Sequence, residues 1–139
     1  MTRRSRSRSN MKAPRGLQNK RMDRAVYSER RVIMGHIYEA RRVLRAAGIE
    51  LPRVDVRICE DSSQVNGCAE LGGRKVWIAA SALDRAEGLV RRTVWHELCH
   101  AVLGTEHIPS CPLMHAGAPK VAPTKATLTD ALLGHFLKG

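Results

Sequence analysis

Acidic residues are missing from the first 22 positions of this 139-residue chain, where Arg3, Arg4, Arg6, Arg8, Lys12, Arg15, Lys20 and Arg21 stand. Aromatics are scarce throughout: two Trp, two Tyr and one Phe. The core must therefore come mainly from Val, Leu, Ile and Ala, and a chain of this length buries one core rather than two. No apolar run approaches transmembrane length, and no apolar h-region of a secretory signal is visible. The four cysteines, Cys59, Cys68, Cys99 and Cys111, show no CxxC spacing. Reduced thiols in a cytoplasmic protein are the expectation. An Arg- and Ser-rich organelle transit peptide stays open as an alternative. No segment repeats.

The net charge of +11 is unevenly placed. After residue 22 the chain carries 16 basic and 13 acidic side chains, close to balance. The stretch TRRSRSRSN has no apolar residue and cannot pack, so residues 1–22 read as a disordered basic arm ahead of a single domain at 23–139. An arm of this kind binds nucleic acid by counterion release, with Arg3, Arg4, Arg6, Arg8, Lys12 and Arg15 as candidate contacts. The plain alternative is a solubilising extension. Deleting residues 1–22 is expected to abolish salt-sensitive retention on DNA or RNA and to leave metal content unchanged. Equal retention of the truncated chain would take the arm out of that role.

Between Asp23 and Ala47, Val26, Ile33, Ile37, Ala40, Leu44 and Ala47 recur at helical steps, and Gly48 can close the helix. Val54, Val56 and Ile58 then alternate as a half-buried strand. VNGCAELGGRKVWIAA predicts two strands around a two-residue turn at Gly72-Gly73. Ser81 or Asp84 can cap the next helix, with Glu87 completing a capping box after Asp84; that helix stops at Gly104. Residues 108–126, rich in Pro and Gly, read as a long irregular segment. TLTDALLGHFLK predicts a last helix with Leu128, Leu132, Leu133 and Phe136 on one side. The order gives an α+β domain: N-terminal helix, three-stranded mostly antiparallel sheet, a second helix, a loop and a C-terminal helix. Trp77 and Trp95 are expected to anchor the core. His36 and His135 read as surface residues without a role, and Cys59, Cys68, Cys99 and Cys111 as ordinary thiols.

VWHELCHAVLGTEH, residues 94–107, concentrates the chemistry. His96 and His100 lie one helical turn apart, so both imidazoles can reach one Zn²⁺. Glu97 follows the first of them and can take a proton from an attacking water. A catalytic zinc takes three protein ligands and leaves one position open. His107 is the favoured third ligand because Gly104 can turn the chain back toward the metal. His115, Glu106 and Asp130 compete for that place. The plain alternative is a structural helix with buried, satisfied histidines.

HELCHAVLGTEH followed by CPLMHAG resembles the zincin metallopeptidases, especially the metzincins, whose pattern is H-E-x-x-H-x-x-G-x-x-H with a Met-containing turn beyond it. The resemblance spans about residues 65–115. It implies a small zincin-like fold, a Zn²⁺ cofactor, Glu97 as general base, and Met114 in a Met-turn-like loop beneath the metal. His115 would be an accessory donor where related enzymes carry a tyrosine. Three residues, not two, separate His100 from Gly104, and one added helical residue rotates the exit direction by about 100°. In that spacing the chain is also similar to the WLM proteases. In zincins a strand along the cleft pairs with extended substrate; here either RKVWIAA or the stretch around Cys68–Leu71 can supply it.

The sequence therefore predicts a monomeric zinc-dependent endopeptidase acting on peptide or protein substrates, with no membrane association. One alternative is a protease acting on nucleic-acid-bound proteins. The other is a non-catalytic, zinc-stabilised nucleic-acid-binding protein, which would have no need of Glu97 beside the metal.

Overall fold

The computed structural model describes residues 20–59, 66–117 and 119–138, with side chains from residue 28 onward. The basic arm up to residue 19 lies outside them. Helix α1 (Lys20–Ala46) opens the domain, so its start takes in the last three residues of the expected arm. Ile33, Ile37, Ala40 and Leu44 are fully buried along one face. Gly48 closes the helix in the left-handed conformation, with Ile49 N–H on Leu44 O and Gly48 N–H on Arg45 O. That pair of bonds is a Schellman cap, which satisfies carbonyls the helix leaves open.

Strands β1 (Asp55–Cys59), β2 (Gly67–Glu70) and β3 (Lys75–Ala79) form one sheet in the order β1-β3-β2. β3 runs parallel to β1 and antiparallel to β2. The sheet is therefore mixed, not mostly antiparallel. β3 lies at the centre, paired on both edges, and buries Val76, Ile78 and Ala79, as β1 buries Val56, Ile58 and Cys59. The turn between β2 and β3 is also longer than expected. Its pairing ends at Glu70 and Lys75, leaving four residues, with Gly72 and Arg74 both at positive φ.

A 3₁₀ turn (Ala80–Asp84) leads into α2 (Glu87–Leu98), which continues as a π-helical turn (Cys99–Leu103). Neither Ser81 nor Asp84 caps α2: the cap position is Ala86, and no side chain bonds to it. Both residues belong to the 3₁₀ turn, which ends at Asp84, two residues before that cap. α3 (Lys125–Lys138) starts from Thr124, whose hydroxyl accepts the Thr127 N–H, and buries Leu128, Leu132 and Phe136. Leu133 is only half-buried. Trp95 is fully buried and donates its indole N–H to His36 O across to α1. Trp77 is half-buried and anchors less than expected, because its side of β3 is not fully covered.

Glu39 ties the three helices together. Its carboxylate accepts Arg91 Nε from α2 and Lys125 Nζ from α3, each at 2.9 Å, and lies 3.2 Å from His36 Nδ1. His36 is thus a buried member of this cluster rather than a surface residue. Burial raises the Glu39 pKa, but the bonds from Arg91, Lys125 and His36 outweigh it and hold the group at about 2. A carboxylate depressed on folding stabilises the native state above its unfolded pKa, and that contribution drains away as pH falls from about 4.5 toward 2. Glu39→Gln is expected to cost ~2–3 kcal/mol at pH 7 and much less at pH 2. Urea midpoints at the two pH values measure this; an equal loss at both would remove Glu39 as the source.

Candidate metal centre

The apolar positions of α2 bury the helix, and that burial carries His96, Glu97 and His100 inward with it. The helix ends in the π-helical turn Cys99–Leu103. Gly104 N–H reaches both Cys99 O and His100 O, and Thr105 N–H lies 3.4 Å from Cys99 O. The widened turn thus carries the chain from His100 to Gly104. Gly104 then takes the left-handed conformation at φ 69°, which reverses the chain and brings His107 back. Backbone from the β2–β3 turn completes the junction. Gly72 N–H donates to His100 O and Arg74 N–H to Ala101 O, both at 2.9 Å, so the sheet caps the end of the site helix.

His96, His100 and His107 converge, with candidate ligand atoms all within 4.8 Å of one another. His96 Nε2 lies 3.1 Å from His100 Nε2 and 3.3 Å from His107 Nε2. Nitrogens each ~2.05 Å from one tetrahedral zinc would lie about 3.3 Å apart. The opposite ring nitrogens fix the tautomers. His96 Nδ1 meets Leu113 O at 2.7 Å, and His100 Nδ1 meets Thr105 O. A carbonyl only accepts, so each Nδ1 must donate and each Nε2 must present a lone pair. Two lone pairs facing each other at 3.1 Å repel unless a cation stands between them. Burial, then the neighbouring His100, holds His96 well below its ordinary value, at about 3. Burial likewise lowers His100 and His107. Neutral, oriented imidazoles with carbonyl partners behind them are what a metal ligand set requires. The three histidines can hold a metal ion.

The competitors for third ligand stay out. Asp130 and Glu106 are exposed and outside the cluster. The His115 ring turns to Ala116 O at 3.0 Å. Met114 is fully buried beside Leu113, and its carbonyl accepts the Ile108 N–H.

Glu97 lies next to the ligands along α2. Its Oε1 is buried without a hydrogen-bond partner, and burial pushes its pKa up to about 8 against the pull of Arg92. A divalent ion among the histidines would draw that value back down. β2 covers this carboxylate: a Cβ on Gly67 would come within 2.9 Å of Trp77 O and 3.2 Å of Glu97 Cγ, so only glycine fits there.

Sequence reasoning missed two supporting residues. Gly67 is one; its only signal was a glycine opening a strand. Arg92 is the other, a buried guanidinium one turn before His96. It donates to His115 O at 2.7 Å, Gly117 O at 3.1 Å and Pro112 O at 3.4 Å. It thereby holds the loop that presents Leu113 O to His96. A basic residue on an apolar helix was the available clue.

No protein-family model, curated protein or solved structure matches this chain. Among the described residues, no helix is long and apolar enough to cross a membrane.

Proposed function

We propose that this chain is a zinc-dependent endopeptidase of zincin type. The observation that carries the reading is Glu97: a buried carboxyl oxygen with no partner, one residue from a histidine ligand. Nearly all buried polar atoms in folded proteins find a partner, so this oxygen calls for one, and the proton of an attacking water would supply it. A structural zinc needs four protein ligands and no neighbouring base. Among the described residues three histidines gather and Cys111 turns elsewhere, toward His135; a zinc held by those three would keep a position for water.

A bound Zn²⁺ would supply Lewis acidity, making water nucleophilic at neutral pH and polarising the scissile carbonyl. His96, His100 and His107 would hold it. Glu97 takes the proton from the attacking water and returns it to the leaving amine, which cannot depart unprotonated. The Leu113 and Thr105 carbonyls keep His96 and His100 in the ligating tautomer. Arg92 keeps the Leu113 loop in place. β2 is the outer strand next to α2, with no further strand on its outer edge among the described residues. Extended peptide would add to that edge, along the Cys68–Leu71 stretch rather than along central β3.

The purified full chain is expected to carry about one zinc per molecule and to cleave an unfolded protein substrate. A strong chelator should stop cleavage and added Zn²⁺ should restore it. Cleavage that survives complete metal removal would overturn the reading.

A further inference from the structure

We propose that Cys111 is a nucleophilic thiol, with His135 as its proton acceptor, that captures small-molecule disulfides in a cavity separate from the three-histidine site. Cys111 sits in the loop after His107, and His135 lies on α3. Cys111 Sγ is 3.2 Å from His135 Nε2 and also accepts the Met114 N–H at 3.3 Å. A base within reach of the thiol and a backbone donor aimed at the sulfur are the two supports a thiolate needs. Both residues line an open cavity of about 480 Å³, walled on the apolar side by Ile108, Pro112 and Ala131. None of the three histidines contributes to it. The volume admits a ligand of several heavy atoms. Asp130 and Lys138 stand on its wall and give it one charge of each sign.

His135 is suited to the part of acceptor. Its Nε2 stands 3.2 Å from the sulfur, and burial, then Lys138, lowers its pKa. The other cysteines do not line this cavity. Cys59 and Cys99 are buried, and burial pushes the Cys99 thiol far up. Cys68 is half-buried on β2 and lines no part of this cavity. None of the four forms a disulfide within the chain.

The exchange balances without an outside oxidant. The Cys111 S–H proton passes to His135 Nε2, and the sulfur attacks one sulfur of a disulfide R–S–S–R. The R–S–S–R bond breaks and a Cys111–S–S–R bond forms. The departing thiolate takes the proton from His135 and leaves as R–SH. Cys111 is oxidised and the second R–S group is reduced.

The test is site-resolved mass spectrometry of the full, metal-loaded chain exposed to glutathione disulfide, with the same chain in guanidinium as reference. Cys111 is expected to react at least ~10-fold faster in the native chain than in the denatured one, while Cys99 is protected. His135→Phe should cut the native Cys111 rate by ~10-fold or more and leave Cys68 unchanged. A native Cys111 rate at or below the denatured one overturns the proposal, as does a folded His135→Phe chain that reacts at the wild-type rate. If Cys99 becomes labelled in His135→Phe, that variant has unfolded, and the wild-type ratio of native to denatured rates decides alone.

Discussion

Replacing Glu97 by glutamine is expected to lower peptide hydrolysis by about 10²–10⁴-fold, the usual worth of a positioned general base. The substitution preserves shape inside a site that tolerates little change, because Gly67 of β2 and the body of α2 enclose the side chain. Glutamine still offers an oxygen where Glu97 Oε1 stands, but it cannot accept the proton. Zinc content should stay near one per chain, since the ligands are histidines. Thermal stability should hold or rise, because a neutral amide is easier to bury than a carboxylate. Three measurements separate the meanings: initial rates on an unfolded protein substrate, metal content, and the thermal midpoint. A variant that cleaves as fast as wild type removes Glu97 from the chemistry. A variant that loses zinc makes Glu97 a structural support, and a zinc-stabilised binding protein becomes the better reading.

His96→Ala and His100→Ala are each expected to weaken zinc binding by more than about 100-fold, beyond what losing an outer-shell partner costs. His107→Ala should follow in the same direction. The three differ in what else they disturb. Truncating His96 leaves the buried Leu113 carbonyl without its donor, a loss of about 1–3 kcal/mol that the thermal midpoint will report. His107 is exposed on the loop, and its removal should affect metal affinity with little effect on the metal-free fold. Competition against a chromophoric chelator gives the affinities. If His107→Ala keeps wild-type affinity while Asp130→Asn or His115→Ala loses it, the third ligand lies elsewhere and the loop geometry has been misread.

Much of the site was legible in the sequence because it is local. His96, Glu97 and His100 fall within one and a half turns of a helix whose apolar positions fix which face is buried. Their mutual placement then follows from helical periodicity alone. Gly48 and Gly104 were legible for a similar reason: chain reversal at a helix end favours a residue without a Cβ, and both stand there at positive φ. The α+β class followed from the order of periodic segments. His107 was favoured on reach, although the extra residue before Gly104 argued for a different exit direction.

What the sequence left open depends on contacts between distant segments. Hydrophobic alternation marks a strand but does not say which edge pairs with which, so the parallel β1–β3 pairing and the central place of β3 needed the fold. The π-helical turn was equally hidden. It is held by the Gly72 and Arg74 amides arriving from the sheet, and no local pattern announces an incoming donor. The same holds for the Cys111–His135 pair, for Arg92 beneath the 112–117 loop, and for His36 and Lys125 around Glu39. Each joins residues on separate elements, and only packing brings their polar atoms within hydrogen-bonding distance. The sequence by itself determined which side chains can do chemistry, because their spacing on one helix is a property of the backbone. The tertiary structure decided which of them meet, how the ring tautomers are set and which carboxyl oxygen is left without a partner, because those depend on the donors and acceptors that folding places opposite them.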